Sequence, residues 1–220
     1  MHYLRLKFNF KKTGLKIFIC WLIFGLTFTS VLCGEEACFR PGEDQVKINQ
    51  FVDEFQSHKI LCFPVIYRSS EFYRTIVDSD ELIAEYFTGW DLYPELEYYP
   101  DAPDFSETMF PTQWAVFEAN MSIFSDYLES LDNSWDYAMT VEILMTNTPS
   151  GGQAVGGIQC YILDDQGEDV FSFLMNSHHD MFNNADLTIT ATDSTEVENL
   201  ALNSLFTALN ALKLQIEEQM

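Results

Sequence analysis

The 220-residue sequence contains 34 acidic and 11 basic residues and has a formal charge of −23. No lysine or arginine occurs between residues 75 and 212, which argues against nucleic-acid binding and against binding to an anionic membrane surface, because both need clustered cations. With 47% hydrophobic and 15% aromatic residues, the chain is too apolar to be a disordered acidic polymer, so a folded domain is predicted.

The first 33 residues have the pattern of a secretory signal peptide. Their five basic residues all precede residue 17, and the apolar run over residues 17–32 carries no charge. This run of about 16 residues is shorter than the roughly 20 of a membrane-spanning helix. We therefore expect cleavage after Cys33 and a secreted or periplasmic product, whose formal charge without those five cations is −28. The alternatives are a retained anchor, or cleavage before Cys33 with a lipid on its thiol, although Leu32 stands where a lipoprotein signal prefers a small residue.

Three cysteines remain after residue 33, an odd number for an exported domain. The simplest arrangement is one disulfide among Cys38, Cys62 and Cys160, with one free thiol. Because Cys62 and Cys160 lie in apolar runs, the alternative is that both are buried small hydrophobic residues. Their spacing matches no zinc site, and the sequence predicts no cofactor.

The rest of the chain is predicted to form one domain over residues 58–220, preceded by an irregular lead-in or short helix over residues 34–57. Its first apolar run, Lys59–Tyr67, is rich in β-forming residues and predicts a strand buried on both faces. Pro64 shifts this prediction toward an edge strand or a bulge, because proline cannot donate a hydrogen bond to a sheet.

Two predicted helices flank an irregular segment. Ser79–Phe87 begins with a capping residue, has one apolar face and is followed by Gly89. Apolar residues then recur at three- and four-residue spacing over Trp114–Leu131, with Thr112 as the expected N-cap. Between these helices, residues 90–110 are rich in proline, aromatic and acidic residues and follow no period, so a long irregular loop is predicted.

The second half of the chain is predicted to add strands and a C-terminal helix. A glycine-rich loop separates the first of these strands from a hairpin. The predicted elements are a strand over Trp135–Met145, a loop over Thr148–Gly157, a hairpin of Ile158–Leu163 with Val170–Met175, a short strand over Leu187–Ile189, and a helix from Ser194 or Thr195 to the C-terminus.

This order predicts an α/β protein of the α+β type, with three main helices packed on a single mixed sheet of about four to five strands that includes a C-terminal antiparallel hairpin region. Over Lys59–Ser69, Tyr137–Met145 and Ile158–Met175, it resembles the small α/β domain of exported bacterial envelope proteins. Examples are LpoB-like lipoprotein activators of peptidoglycan synthases, the N-terminal domain of TolB, and CsgG-like curli-secretion lipoproteins. The resemblance implies a non-enzymatic adaptor or activator, and it assigns no functional residue.

One polar cluster, residues 176–180, follows a strand that is predicted to be buried. Neighbouring histidines on an extended segment point in opposite directions, so only one of the pair can join Asp180 at a metal ion. A metal site of His178, Asp180, the distant His58 and a further acidic residue is one hypothesis. The alternative is a strand end whose polar side chains are hydrogen-bonded within the fold.

The aromatic and acidic segment 90–110 has a composition suited to contact with a sugar or with a basic protein. Two functions follow from these patterns. The first is a non-catalytic envelope or secreted domain that binds a protein partner, and a basic partner would match the charge. The second is an extracytoplasmic metal-dependent or carboxylate hydrolase that uses residues 176–180. The alternative for the segment itself is that it covers the core. The residues predicted to form the binding surface are Trp90, Tyr93, Tyr98, Tyr99 and Phe105.

Overall fold

The fold is built on one mixed sheet with helices on both faces. A computed structural model describes residues 45–90, 94–108, 112–131 and 134–219. In chain order the elements are α1 (Gln45–Asp53), a short 3-10 turn (Phe55–Ser57), β1 (Lys59–Cys62), β2 (Ile66–Arg68), β3 (Tyr73–Thr75), α2 (Ser79–Thr88), β4 (Glu95–Tyr98), α3 (Gln113–Glu129), β5 (Tyr137–Asn147), β6 (Gln153–Asp164), β7 (Phe173–Met175), α4 (Asp180–Asn184) and α5 (Ser194–Gln219).

The strand β5 lies at the centre of the sheet. On one side it pairs with β6 in a long antiparallel hairpin, and β6 pairs with the short edge strand β7. On the other side it pairs in parallel with β1 and then, further along, with β2. The outermost strands are β4, parallel to β1, and β3, antiparallel to β2. The seven strands thus occupy five positions across the sheet, which confirms the predicted fold class.

The predicted strand Lys59–Tyr67 is split by a bulge. Cys62 lies opposite Met139, and Ile66 lies opposite Glu142, so three residues of this segment face two residues of β5. The extra residue falls in the stretch that contains Pro64, which has no backbone N–H to donate to the ladder. The structure therefore has the bulge that the proline indicated.

Alternate residues of each strand contribute to two cores, as the two-residue period of a strand requires. One face of the sheet packs against α1, α2 and α5, whereas the other face packs against α3 and the segment that follows β4. Prominent residues of the first core are Phe51, Ile83, Val141, Ile143, Ile158 and Leu205. Prominent residues of the second are Leu61, Phe63, Phe105, Phe117, Phe124 and Tyr161.

Three local predictions were wrong, and one short helix was not predicted. The segment 90–110 is not irregular throughout, because Glu95–Tyr98 forms β4 beside β1. The loop predicted to end at Gly157 is shorter, since β6 begins at Gln153. The segment after β7 contains the short helix α4, and no strand forms at 187–189, where Ile189 N donates to Asp186 O in a turn.

The targeting segment, Cys33 and Cys38 lie outside the described residues. Both described cysteines, Cys62 and Cys160, are buried and not bonded to each other, which matches the alternative that they are small hydrophobic core residues. Within the described ranges, no helix is long and apolar enough to cross a membrane.

Candidate functional site

A pocket of about 400 Å³ opens at the outer edge of the sheet, where β1 and β4 end. It lies between the carboxyl end of β4, at Tyr98, and the end of β3, at Thr75. Ligands of α/β proteins often bind at the carboxyl ends of parallel strands. The lining residues that matter for its chemistry are Asp78, Ser79, Asp80, Tyr98 and Tyr99, and the floor includes Cys62, Phe63 and Pro64.

The bulge at Pro64 creates this opening. Before the bulge, the Cys62 carbonyl oxygen accepts a hydrogen bond from Tyr99 N at 2.9 Å. After it, the Val65 carbonyl oxygen accepts one from Ile76 N at 2.8 Å. The outer strands therefore belong to separate ladders on either side of the bulge, and the gap between them is the pocket.

The start of α2 supplies the carboxylates. The helix N-cap is Asp78 in the left-handed conformation, with φ of 56°, rather than the serine that the sequence indicated. The Ser79 hydroxyl is instead buried and accepts a hydrogen bond from Val65 N at 3.2 Å, which attaches the helix to the bulge. Asp78 and Asp80 remain exposed at the pocket.

The end of β4 supplies two tyrosines, whose side chains lie on opposite faces of the sheet. Tyr98 packs against the first core, and its hydroxyl is buried without a hydrogen-bond partner. Burial raises the pKa of Tyr98 well above its usual value, and the nearby Cys62 and Asp80 raise it further. Tyr99 packs against the second core, with its ring centroid 5.5 Å from that of Phe63.

The pocket is electrostatically suited to a cation. Aromatic faces and carboxylates both attract positive charge, and no lysine, arginine or histidine is among the described residues that line the pocket. Most of the described lysine and arginine side chains form ion pairs away from the pocket. The ion pairs formed by described lysines and arginines are Lys47 with Asp164 and Glu168, Lys59 with Glu97, Arg68 with Glu142, and Lys213 with Glu217.

The structure divides the aromatic residues predicted to form a binding surface. Tyr98 and Tyr99 come together at the pocket. Trp90 is only 5% exposed and packs against Phe87 in the first core, and Phe105 is fully buried in the second. Tyr93 lies outside the described residues. The segment thus covers the core at its two ends and contributes to the pocket in the middle.

The residues proposed as metal ligands are not brought together. His58 precedes β1, whereas His178 and Asp180 follow β7, which runs in the same direction as β1, so they lie at opposite ends of the sheet. His58 packs against the Tyr137 ring at a centroid distance of 4.5 Å. His179 is the N-cap of α4, where its Nδ1 accepts from Met181 N at 3.2 Å. Among the described residues, no group of three or more histidine, cysteine or acidic side chains is arranged to hold a metal ion.

A buried polar cluster beneath α3 was not foreseen from the sequence. Glu142 on β5 is fully buried and accepts hydrogen bonds from Arg68 Nε and from Asn120 Nδ2 on α3. The Arg68 guanidinium also donates to the Thr108 carbonyl oxygen at 2.9 Å and to its hydroxyl at 2.8 Å. Burial raises the pKa of Glu142, and the Arg68 charge opposes this shift. The sequence signal for this cluster is that each of two otherwise apolar strands contains one charged residue, Arg68 in β2 and Glu142 in β5.

The molecule is an α+β domain whose sheet is covered on both faces and opens into a pocket at one edge. No family model and no curated protein matches the chain. Among solved structures, it is similar to the hypothetical protein CT253 from Chlamydia trachomatis, with 12% identity over 54% of this chain and 69% of that one and a TM-score of 0.25. Similarity at that level assigns neither a fold relationship nor a function.

Proposed function

We propose that this chain is an exported, non-enzymatic adaptor or activator of the cell envelope that binds a basic segment of a protein partner. The observation that carries the proposal is the pocket at the end of β4, where Tyr98 and Tyr99 lie beside Asp78 and Asp80 and the described lining residues include no cation. A lysine or arginine side chain of the partner would occupy it.

Both parts of the lining favour such a side chain. A cation over an aromatic face gains about 0.5–1 kcal/mol at an exposed site and more when it is desolvated. Each exposed carboxylate adds roughly 0.2–1 kcal/mol, less at high salt. Among the described residues the buried Tyr98 hydroxyl has no hydrogen-bond partner, so the contribution of Tyr98 to the pocket is expected to come from its ring.

A binding role agrees with the chemistry of the lining better than catalysis does. The nucleophile candidates, Ser79 and Cys62, have no histidine among the described lining residues, and no described hydrogen bond joins either side chain to the Asp78 or Asp80 carboxylate. The Ser79 hydroxyl already accepts from Val65 N, and burial raises the pKa of the Cys62 thiol to about 12. Export and an envelope location are supported by the sequence pattern of residues 1–33 and by the resemblance in element order.

The proposal is tested by removing the two carboxylates without changing side-chain size. The probe is a fluorescein-labelled octapeptide of alternating lysine and valine, and binding to the full chain is followed by fluorescence anisotropy at fixed salt. We expect Asp78→Asn/Asp80→Asn to weaken binding about tenfold, which corresponds to about 1.4 kcal/mol for two exposed pairs. Asparagine also tolerates the left-handed backbone at position 78.

A matched control separates the pocket from the general negative charge. Asp126→Asn/Glu129→Gln removes the same charge from the exposed surface of α3 and should weaken binding less than twofold. Equal losses for the two double variants would show that the peptide senses only net charge, and would contradict the proposal.

A further inference from the structure

Among the described residues, nothing pairs with the outer edge of the strand β4. Along its inner edge, Glu95 N donates to His58 O and Tyr99 N to Cys62 O, both at 2.9 Å, and the register with β1 is continuous between them. Alternate residues of a strand present their backbone groups to opposite sides. The N–H and C=O groups of Leu96 and Tyr98 therefore face outward, and within the described residues no backbone or side chain is hydrogen-bonded to them.

The open edge is short and its limits are defined. Pro94 immediately precedes β4 and Pro100 follows Tyr99, so additional pairing is confined to about the four residues Glu95–Tyr98. No bulge or proline interrupts those four residues, although both are common means of blocking an exposed edge. The carboxyl end of this edge leads directly into the pocket, because Tyr98 belongs to both.

The charged side chains of β4 indicate which kind of segment can pair with its outer edge. Glu95 and Glu97 lie on one face of β4, where Lys59 Nζ is 2.5 Å from Glu97 Oε2 and also interacts electrostatically with Glu95, so one described cation faces two carboxylates. On the opposite face lie Leu96 and Tyr98, and the Asp80 carboxylate is near Tyr98. A second copy of this chain would bring like charges together at such an edge, which is destabilising. A basic strand would instead be attracted.

We infer that an extended basic segment of the partner adds as a strand to the outer edge of β4 and places one of its cationic side chains in the pocket. This inference rests on the proposed function and specifies how the partner binds. Backbone hydrogen bonds to Leu96 and Tyr98 provide the pairing, and alternate side chains provide the specificity. On the side of Glu95 and Glu97 the segment carries lysine or arginine, and opposite Leu96 it carries an apolar residue. Beyond Tyr98 the segment leaves the edge and no longer alternates about the strand, so its next lysine or arginine can enter the pocket.

The inference is tested from both sides of the interface with the lysine–valine octapeptide. A version N-methylated at every second residue keeps all its cations but loses the backbone donors of one edge. We expect it to bind the full chain at least tenfold more weakly than the unmodified peptide. On the protein, Leu96→Pro removes one outward N–H without affecting the ladder to β1, and should weaken binding about tenfold, whereas Leu96→Ala should weaken it less than threefold.

Hydrogen exchange provides a measurement that does not depend on a folded variant. The amides of Leu96 and Tyr98 should exchange at least tenfold more slowly in the peptide complex, while exposed amides on α3 are unchanged. Equal binding of the methylated peptide and unchanged exchange at these two amides would overturn strand addition. If Asp78→Asn/Asp80→Asn still weakens binding in that case, the cation pocket stands without the added strand. If that variant binds like the wild type, the proposed function fails as well.

Discussion

Breaking the Arg68–Glu142 ion pair beneath α3 is expected to destabilise the fold strongly. Replacing Arg68 by methionine keeps a long side chain but leaves the Glu142 carboxylate without its cation. Glu142 is 0% exposed, so water cannot take the place of the guanidinium. The same change removes the two donors to Thr108 and so loosens the segment after β4.

The expected cost follows from the burial. Removing one partner of a buried pair typically costs about 3–5 kcal/mol, because a buried charge is left uncompensated. A change of Glu142 to glutamine in the Arg68→Met background removes that charge. We therefore expect the double variant to be more stable than Arg68→Met alone, at about 1–3 kcal/mol below the wild type, which is the cost of the remaining unmade hydrogen bonds.

The measurement is urea unfolding of the full chain followed by tryptophan fluorescence. The free energy of unfolding is obtained by linear extrapolation, and equal slopes are required before variants are compared. Asp126→Asn, on the exposed face of α3, serves as a control that should change the free energy of unfolding by less than about 0.5 kcal/mol. A double variant that is no more stable than Arg68→Met would refute the reasoning, because the loss could not then arise from an uncompensated carboxylate.

Three further predictions concern individual groups. Tyr98→Phe removes a buried hydroxyl without a partner and should stabilise the free protein by about 1 kcal/mol, raising Tm by roughly 2–4 °C in calorimetry; an unchanged or lower Tm would contradict this. Burial raises the pKa of the Cys62 and Cys160 thiols, so iodoacetamide at pH 8 should label them only after denaturation, as read by peptide mass spectrometry. Burial also raises the pKa of Glu142, so the unfolded chain loses this proton at a lower pH than the folded chain does. The difference in free energy of unfolding between the wild type and Glu142→Gln should therefore decrease as the pH rises above the ordinary glutamate pKa. Urea titrations at several pH values measure this difference.

The elements that the sequence predicted well are those with long periodic patterns. Apolar residues at three- and four-residue spacing define α3 and α5, and Thr112 is the N-cap of α3 as expected, its side chain accepting from Ala115 N at 3.2 Å. The buried strand pattern likewise located β5 and the second half of β6. Such patterns are reliable because a whole helix face or strand must be buried for the element to be stable.

The elements that it missed are short or are defined by distant contacts. Glu95–Tyr98 has the alternation of a strand, but four residues between prolines are too few to separate from a loop. Its strand conformation comes from pairing with β1, more than thirty residues earlier. The Arg68–Glu142 pair was missed for a related reason, because two charged residues in separate strand sequences reveal nothing of their register until β2 and β5 are paired.

The composition of segment 90–110 indicated recognition, but composition alone could not assign a role to each aromatic residue. Trp90 and Phe105 have the same chemical character as Tyr98 and Tyr99, yet the first two are core residues and the last two line the pocket. The difference arises at Pro64. Because that residue interrupts the ladder beside β5, the neighbouring outer strands separate, and the residues at the break are the ones left accessible. The position of the pocket therefore depends on the β1–β2 segment as much as on the aromatic segment. Replacing Pro64 would change the geometry of the pocket without changing any of the aromatic and acidic residues that line it.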